Sequence, residues 1–216
     1  MTLTQDEIEF LARYIVESDA IERITRSYDE VFAQLSSGYT YGHVGAYIHL
    51  LTALENGELI SEGLIREVQA LIVTEQTAYG QRTLHEKHIG AWRTVGVTVD
   101  GRDCPAPLFV PESMERLVRR VHSWQKHRFA MMSPLDNMHF IATSHFKYLD
   151  IHPFADGNGR SSRAIVYFLY RHARLRPFIF TSADRYETYY QCFNDSNDAR
   201  DMIAYFHLRT TLPALP

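Results

Sequence analysis

Residues 152–163 read His152-Pro153-Phe154-Ala155-Asp156-Gly157-Asn158-Gly159-Arg160-Ser161-Ser162-Arg163, placing an imidazole, a carboxylate, a glycine-rich run and two guanidinium groups in one short stretch. Each residue type has a physical use at a phosphate. Gly157-Asn158-Gly159 can adopt positive φ and turn successive N–H groups toward one point, a concavity that binds anions. A helical pattern follows at once, and its free N–H groups and dipole add to the attraction. Arg160 and Arg163 are three apart, so they project to neighbouring positions at that helix start. Asp156 is a hard oxygen ligand of the kind Mg2+ takes beside phosphates. His152 accepts a proton near neutral pH. Together these groups suit phosphoryl or nucleotidyl transfer, which works mostly by positioning and charge stabilisation. A plain helix–turn–helix connection accounts for Gly157-Asn158-Gly159 alone, but not for the whole set.

The elements that must position this stretch are mainly helical. Ser133-Pro134 is a start signal, and the helix it opens carries Met138, Ile141, Ala142, His145, Phe146 and Leu149 inward. Pro153 biases His152 away from helical geometry, so that helix ends there. The last long helix is expected from about Gly159 to Ala173, with Ala164, Ile165, Phe168 and Leu169 on its apolar face. Upstream, Ile8, Leu11, Ala12 and Ile15 have helical spacing, and a second helix is expected to begin near Asp19. Further helical patterns run through Val44, Tyr47, Ile48, Leu51 and Leu54, from Ile65 to Ile72, and from Pro111 or Glu112 to Trp124. The exception is Thr94–Gly101, where Val95, Val97 and Val99 alternate before an Asp100-Gly101 turn, the signature of a short β-hairpin. The expected fold is mainly α with one hairpin, packed as one unit.

The 152–163 string resembles the signature of the Fic (Fido) domain family, H-x-F-x-D/E-G-N-G-R-x-x-R, with every specified position filled. Ile141–Phe146, Trp92-Arg93-Thr94 and Tyr189-Tyr190 extend the likeness over roughly residues 75–210. The resemblance implies a Fic/Fido helical fold whose β-hairpin, with Val99, Asp100 and Gly101, is a flap along which a target protein binds. It implies protein AMPylation: transfer of AMP from ATP to a Ser, Thr or Tyr hydroxyl with release of pyrophosphate. His152 is then the base, and Asp156 the ligand of the Mg2+ cofactor. Gly157, Asn158 and Gly159 form the anion hole. Arg160 steadies the phosphates, Arg163 pairs with the γ-phosphate, and Phe154 anchors the loop. An intact Gly-Asn-Gly run favours AMP transfer over the kinase-like and phosphocholine-transferring branches. Tyr189, Tyr190 and Asn197 would line the adenosine pocket, with Asn194 competing for the amide role. An amphipathic helix at 185–190 whose tyrosines pack on the core is the other reading.

Ser18-Asp19-Ala20-Ile21-Glu22-Arg23 resembles the family's inhibitory motif, S/T-x-x-x-E-G/N, with Arg23 in place of Gly or Asn. The resemblance implies that Ser18 and Glu22 lie on an inhibitory helix at about 18–30, with Glu22 pairing Arg163 and displacing the γ-phosphate. Asp19 with Glu22 also reads as a helix capping box, which needs no inhibition. Residues 1–74 would form an N-terminal helical region carrying this brake, and 75–210 the catalytic domain. Removal of AMP by the same site, or a silent protein-binding module, are the competing functions.

Composition narrows the field. A net charge of −4, from 22 basic and 26 acidic side chains, argues against a nucleic-acid surface. No run approaches the ~18 apolar residues of a membrane span, and the N-terminus has no signal-peptide pattern. Cys104 and Cys192 read by default as free thiols of a cytoplasmic protein, with one disulfide left open. The eleven histidines show no metal-ligand spacing. His145 reads as a core residue. A homo-oligomer is compatible with the sequence.

Overall fold

Thr4 accepts from the N–H of Glu7, and the Glu7 carboxylate accepts in turn from the N–H of Thr4. This capping box starts α1 (Gln5–Ile21). The structure, a computed structural model, describes residues 3–99, 101–193 and 198–211. Its first departure from expectation is at Asp19, where no new helix begins. α1 runs through it unbroken, and Glu22 is its C-cap. The chain turns at Arg23, with φ 61°, and α2 (Tyr28–Ser36) follows. The Ser18–Arg23 stretch therefore ends one helix instead of opening another. The Asp19–Glu22 capping box is corrected too: the Asp19 carbonyl accepts from the N–H groups of Glu22 and Ile24, at 2.9 and 3.0 Å. Ser and Asp compete with helical backbone when exposed. Ser18 and Asp19 stay helical because both are buried and find partners on other elements.

α3 (Gly42–Glu55) and α4 (Glu62–Thr74) pack as a pair, α4 opening with the Ser61 hydroxyl accepting from the Leu64 N–H. The hairpin is shorter than the valine alternation predicts. β1 (Thr98–Val99) pairs antiparallel with β2 (Arg102–Asp103), two residues each. Val95 and Val97 spend their carbonyls on the Arg93 guanidinium and the Cys104 N–H. α5 (Val110–His127) and α6 (Pro134–Ile151) follow, the latter capped by Ser133 as the sequence predicts. α7 (Asn158–His172) is buried on every side from Arg160 to Tyr170, enclosed by α1, α3, α4 and α6. It is not the last helix. Residues 185–193 form a π turn and a 3-10 turn instead of an amphipathic helix, and α8 (Arg200–Thr211) then packs on α6. The inward positions of α8, Met202, Tyr205 and Phe206, have helical spacing, but three of them among charged and polar neighbours make a short pattern. Cys104 and Cys192 are free thiols. Among the described residues no helix is long and apolar enough to cross a membrane.

Candidate active site

The backbone between α6 and α7 is shaped largely by its own residues. α6 ends at Ile151, and His152 takes the left-handed region at φ 50°, ψ 63°, its N–H donating to the Tyr148 carbonyl at 3.0 Å. A histidine there is uncommon and needs holding. Arg93 holds it: its Nε donates to the His152 carbonyl at 2.7 Å, and its backbone N–H to the Pro153 carbonyl at 2.8 Å. Arg93 Nη2 reaches the Pro105 carbonyl, so one guanidinium 1% exposed pins the loop to the base of the hairpin. Phe154 is fully buried against Trp92, ring centroids 5.0 Å apart. Asn158 closes the loop from the other side. Its Oδ1 accepts from the Phe154 N–H and its Nδ2 donates to the Phe154 carbonyl, both at 2.9 Å. The glycine-rich run behaves less uniformly than expected. Only Gly157 has positive φ, 80°, while Asn158 and Gly159 already belong to α7. With its amide spent on the loop, whatever Asn158 offers an anion comes from its backbone.

Two cavities meet over this loop. The larger, about 360 Å³, is walled by Val99, Gly101 and Arg102 of the hairpin and by Tyr189, Tyr190 and Phe193. The smaller, about 170 Å³, lies against Asp156, Gly157, Asn158 and Arg160. His152, Gly159 and Glu22 border both. Tyr189 lines the larger cavity, yet it is 1% exposed with its hydroxyl on His145 Nε2 at 2.8 Å. Tyr190 is partly exposed beside it. Asp100, Asn194 and Asn197 lie outside the described residues.

Arg163 is fully buried at the wall of the larger cavity. Its Nε donates to the Ser18 hydroxyl at 2.9 Å and its Nη2 to the Ser18 carbonyl at 2.8 Å. Nη2 also meets Glu22 Oε1 at 2.8 Å. Burial alone would raise the Glu22 carboxyl, but Arg163, with Arg160 and Arg185 farther off, outweighs it and holds the group below its ordinary value. Glu22 is therefore ionised at neutral pH. Its carboxylate lies across the start of α7: a Cβ built on Gly159 would come within 2.0 Å of Glu22 Oε1. An anion thus already sits where the helix N-terminus and Arg163 converge.

Burial pushes the His152 imidazole down to about 4, with the Leu149 carbonyl opposing and Arg93 adding to the fall. The ring is neutral near pH 7 and has a lone pair free for a proton. Asp156 is 43% exposed at its side chain, and its oxygens accept from the Gly157 N–H and from Gln76 Nε2 at 3.2 Å. Arg160 is buried and donates to Gln76 Oε1 at 2.9 Å, with Asp156 Oδ1 3.6 Å away. Among the described residues no three His, Cys, Asp or Glu side chains gather as a metal cluster. A lone exposed carboxylate facing a phosphate-sized cavity still fits Mg2+, which keeps several waters and takes its remaining ligands from substrate phosphates.

Arg93 and Gln76 stand out as residues whose positioning part the sequence reading did not assign. Arg93 was visible in Trp92-Arg93-Thr94, but nothing local says that an arginine there is buried. Gln76 follows a helix end and carries no motif. Its partners within the site, Asp156 and Arg160, lie 80 and 84 residues away in the chain.

Comparison with known proteins agrees with this geometry. A family model described as the Fic/DOC family matches residues 59–170. The protein adenylyltransferase Fic of Nematostella vectensis is 26% identical over 201 residues, 89% of this chain and 45% of that protein. The protein of the same name from Drosophila erecta is 34% identical over 101 residues, 47% of this chain and 19% of its own length. The chain spans less than half the length of these curated relatives. A Fic domain containing signaling protein from Bacteroides thetaiotaomicron superposes with a TM-score of 0.68 at 22% identity, over 94% of this chain and 83% of that one. Fic-1 of C. elegans does so with a TM-score of 0.66 at 23% identity, over 97% and 63%. With a matching family model over more than half its length and the same helical fold, the chain belongs to the Fic/DOC family.

Proposed function

We propose that this chain transfers AMP from ATP to a hydroxyl side chain of a target protein, and that Glu22 restrains the reaction by occupying Arg163. The carrying observation is the convergence of the His152 ring, the N-terminus of α7 and the Arg163 guanidinium on two joined cavities, with a carboxylate already in the anion position. In this reading the neutral His152 ring takes the proton of the target hydroxyl. The hydroxyl oxygen forms a bond to the α-phosphorus, and the bond from that phosphorus to the bridging oxygen breaks, releasing pyrophosphate. The N–H groups at the start of α7 stabilise charge on the phosphate oxygens. Mg2+ held by Asp156 would neutralise phosphate charge when bound. The target would lie along the hairpin, pairing with an exposed edge. Arg163 would take the γ-phosphate once Glu22 leaves, since one guanidinium edge cannot serve both. The nucleotide's base would sit toward Tyr189 and Tyr190. A cytoplasmic setting, with ample ATP and thiols kept reduced, belongs to the same reading.

A second reading is removal of AMP from a modified protein, favoured by Glu22 and His152 bordering the same small cavity, where a carboxylate can orient water beside a base. The test incubates wild type, Glu22→Gly and His152→Ala with α-labelled ATP, Mg2+ and cell extract, and in parallel with pre-AMPylated protein. Label transfer that rises in Glu22→Gly and vanishes in His152→Ala supports the first reading. Release of AMP that needs Glu22 supports the second. Neither event in any variant leaves a protein-binding module.

A further inference from the structure

α4 ends at Thr74, and the next two residues face opposite halves of the site. Glu75 caps α4 and turns its carboxylate toward the segment that bears Glu22. Its Oε1 accepts from Arg26 at 2.9 Å, and its Oε2 from the His43 N–H at 3.1 Å. The approach is so close that a Cβ on Gly42 would overlap Oε2. Arg26, buried, also faces Asp19 Oδ2 at 3.6 Å, while Asp19 Oδ1 meets His43 Nδ1 at 2.8 Å. Asp19 and Arg26 stand on either side of Glu22, and both are tied to this one buried cluster. The short turn between them, left-handed at Arg23, is thus clamped at both ends, with Glu22 projecting onto Arg163. A buried guanidinium stays in place only while carboxylates compensate it.

Gln76 faces the other way. Its Nε2 donates to Asp156 Oδ2 at 3.2 Å and to the Arg82 carbonyl at 2.7 Å, and its Oε1 accepts from Arg160 at 2.9 Å. An amide can give to a carboxylate and take from a guanidinium at once, and no charged side chain can do both. It is 2% exposed, so these bonds are made away from water.

We propose that Glu75 and Gln76 are positioning residues with opposite effects: Glu75, through Arg26, holds Glu22 on Arg163, whereas Gln76 aims Asp156 and Arg160 at the phosphates. The proposal rests on the function given above and deepens its regulation. Neither residue touches nucleotide; each acts through another.

The test uses Arg26→Gln, Glu75→Gln and Gln76→Ala in the full chain, each in the wild-type and the Glu22→Gly background, with AMP transfer and calorimetric binding of ATP and ADP as readouts. Arg26→Gln and Glu75→Gln raise transfer and ATP affinity about fivefold in the wild-type background, as expected for a modest coupling between sites. They leave ADP affinity, which involves no γ-phosphate, unchanged, and they do nothing further in the Glu22→Gly background. Gln76→Ala lowers transfer about tenfold in both backgrounds. It weakens ATP binding more in the presence of Mg2+, where Asp156 and Arg160 both count, than in its absence, where only Arg160 does. General damage to the fold cannot give a rise from one residue and a fall from its neighbour. The proposal is overturned if Glu75→Gln lowers transfer, if Arg26→Gln or Glu75→Gln acts equally with and without Glu22, or if Gln76→Ala leaves Mg2+-dependent ATP binding intact. If Glu22→Gly itself transfers no AMP to any protein, the functional reading fails, and the nucleotide-binding arms still decide the positioning roles.

Discussion

Two segments meet at Arg163 and are built in different ways. The 152–163 loop largely carries its own instructions: a proline that ends α6, a glycine at φ 80°, and an asparagine side chain bonded to the loop's own backbone. The 18–26 segment carries few. Its shape is imposed by His43, Glu75 and Arg163, which lie well outside it. The only local sign of its geometry is the left-handed residue at position 23, here an arginine. A loop braced by its own proline, glycine and asparagine keeps its backbone path when a distant side chain is altered, even where Gln76 aims its side chains, whereas a clamped segment can be released by a single altered partner. That contrast suits a reaction centre beside its own restraint.

The sharpest way to break the comparison is at the chemistry. His152→Ala is expected to reduce AMP transfer about 10²- to 10⁴-fold, the usual worth of a positioned base. ATP affinity measured by calorimetry stays near wild type. If transfer persists, the loop's shape matters and its imidazole does not. Asn158→Ala removes both bonds to the Phe154 backbone and leaves buried polar groups unmet. It should cost about 2 kcal/mol in urea unfolding and most of the transfer activity. Loss of activity without loss of stability would mean that Asn158 serves the phosphates directly.

Gly159→Ala probes where the two segments touch. The new Cβ collides with Glu22 Oε1 but leaves Arg163 Nη1 at a tight 3.0 Å. The destabilisation expected is about 1–2 kcal/mol in wild type and clearly less in Glu22→Gly, read from a double-mutant cycle. Equal costs would place Glu22 away from the start of α7. Acid titration of stability tests the buried rings. His152 is held down to about 4 and His145 to about 3, both mainly by burial, against about 6.5 when unfolded. Below about 6.5 the unfolded chain takes up protons that the folded chain does not, so stability should fall as pH drops from there toward 4. His145→Gln should flatten that slope in equilibrium unfolding at several pH values. Smallest of all, Arg23→Gly relieves left-handed strain of about 1 kcal/mol but loses the contact of Arg23 with the Tyr186 hydroxyl. A net gain below 1 kcal/mol is expected in thermal unfolding, with slightly lower transfer.

The same contrast explains what was legible in the sequence. Helices α3 to α7 announced themselves by apolar spacing, and α6 also by Ser133-Pro134. The backbone of the 152–163 loop is legible because Pro153, Gly157 and Asn158 act on their own stretch of chain. The pairing of Glu22 with Arg163 is legible only through family resemblance. The helix ending at Glu22 was misjudged because Ser18 and Asp19 look like the beginning of an element when their buried partners are not in view. Arg93 and Gln76 were opaque for a related reason. Each works by contacts that exist only after distant parts of the chain have come together. The hairpin was overestimated because alternating valines describe an extended backbone, not how many residues pair across it.

Arg163 draws two of its bonds from Ser18 and only one from Glu22. Were the carboxylate to swing aside, the bonds from Ser18 would still orient the guanidinium. In the proposed reading, displacement of that one carboxylate separates the restrained site from the receptive one. Rapid mixing with nucleotide should accordingly reveal no lag from rearrangement, because the receptive arrangement is already built beneath what covers it.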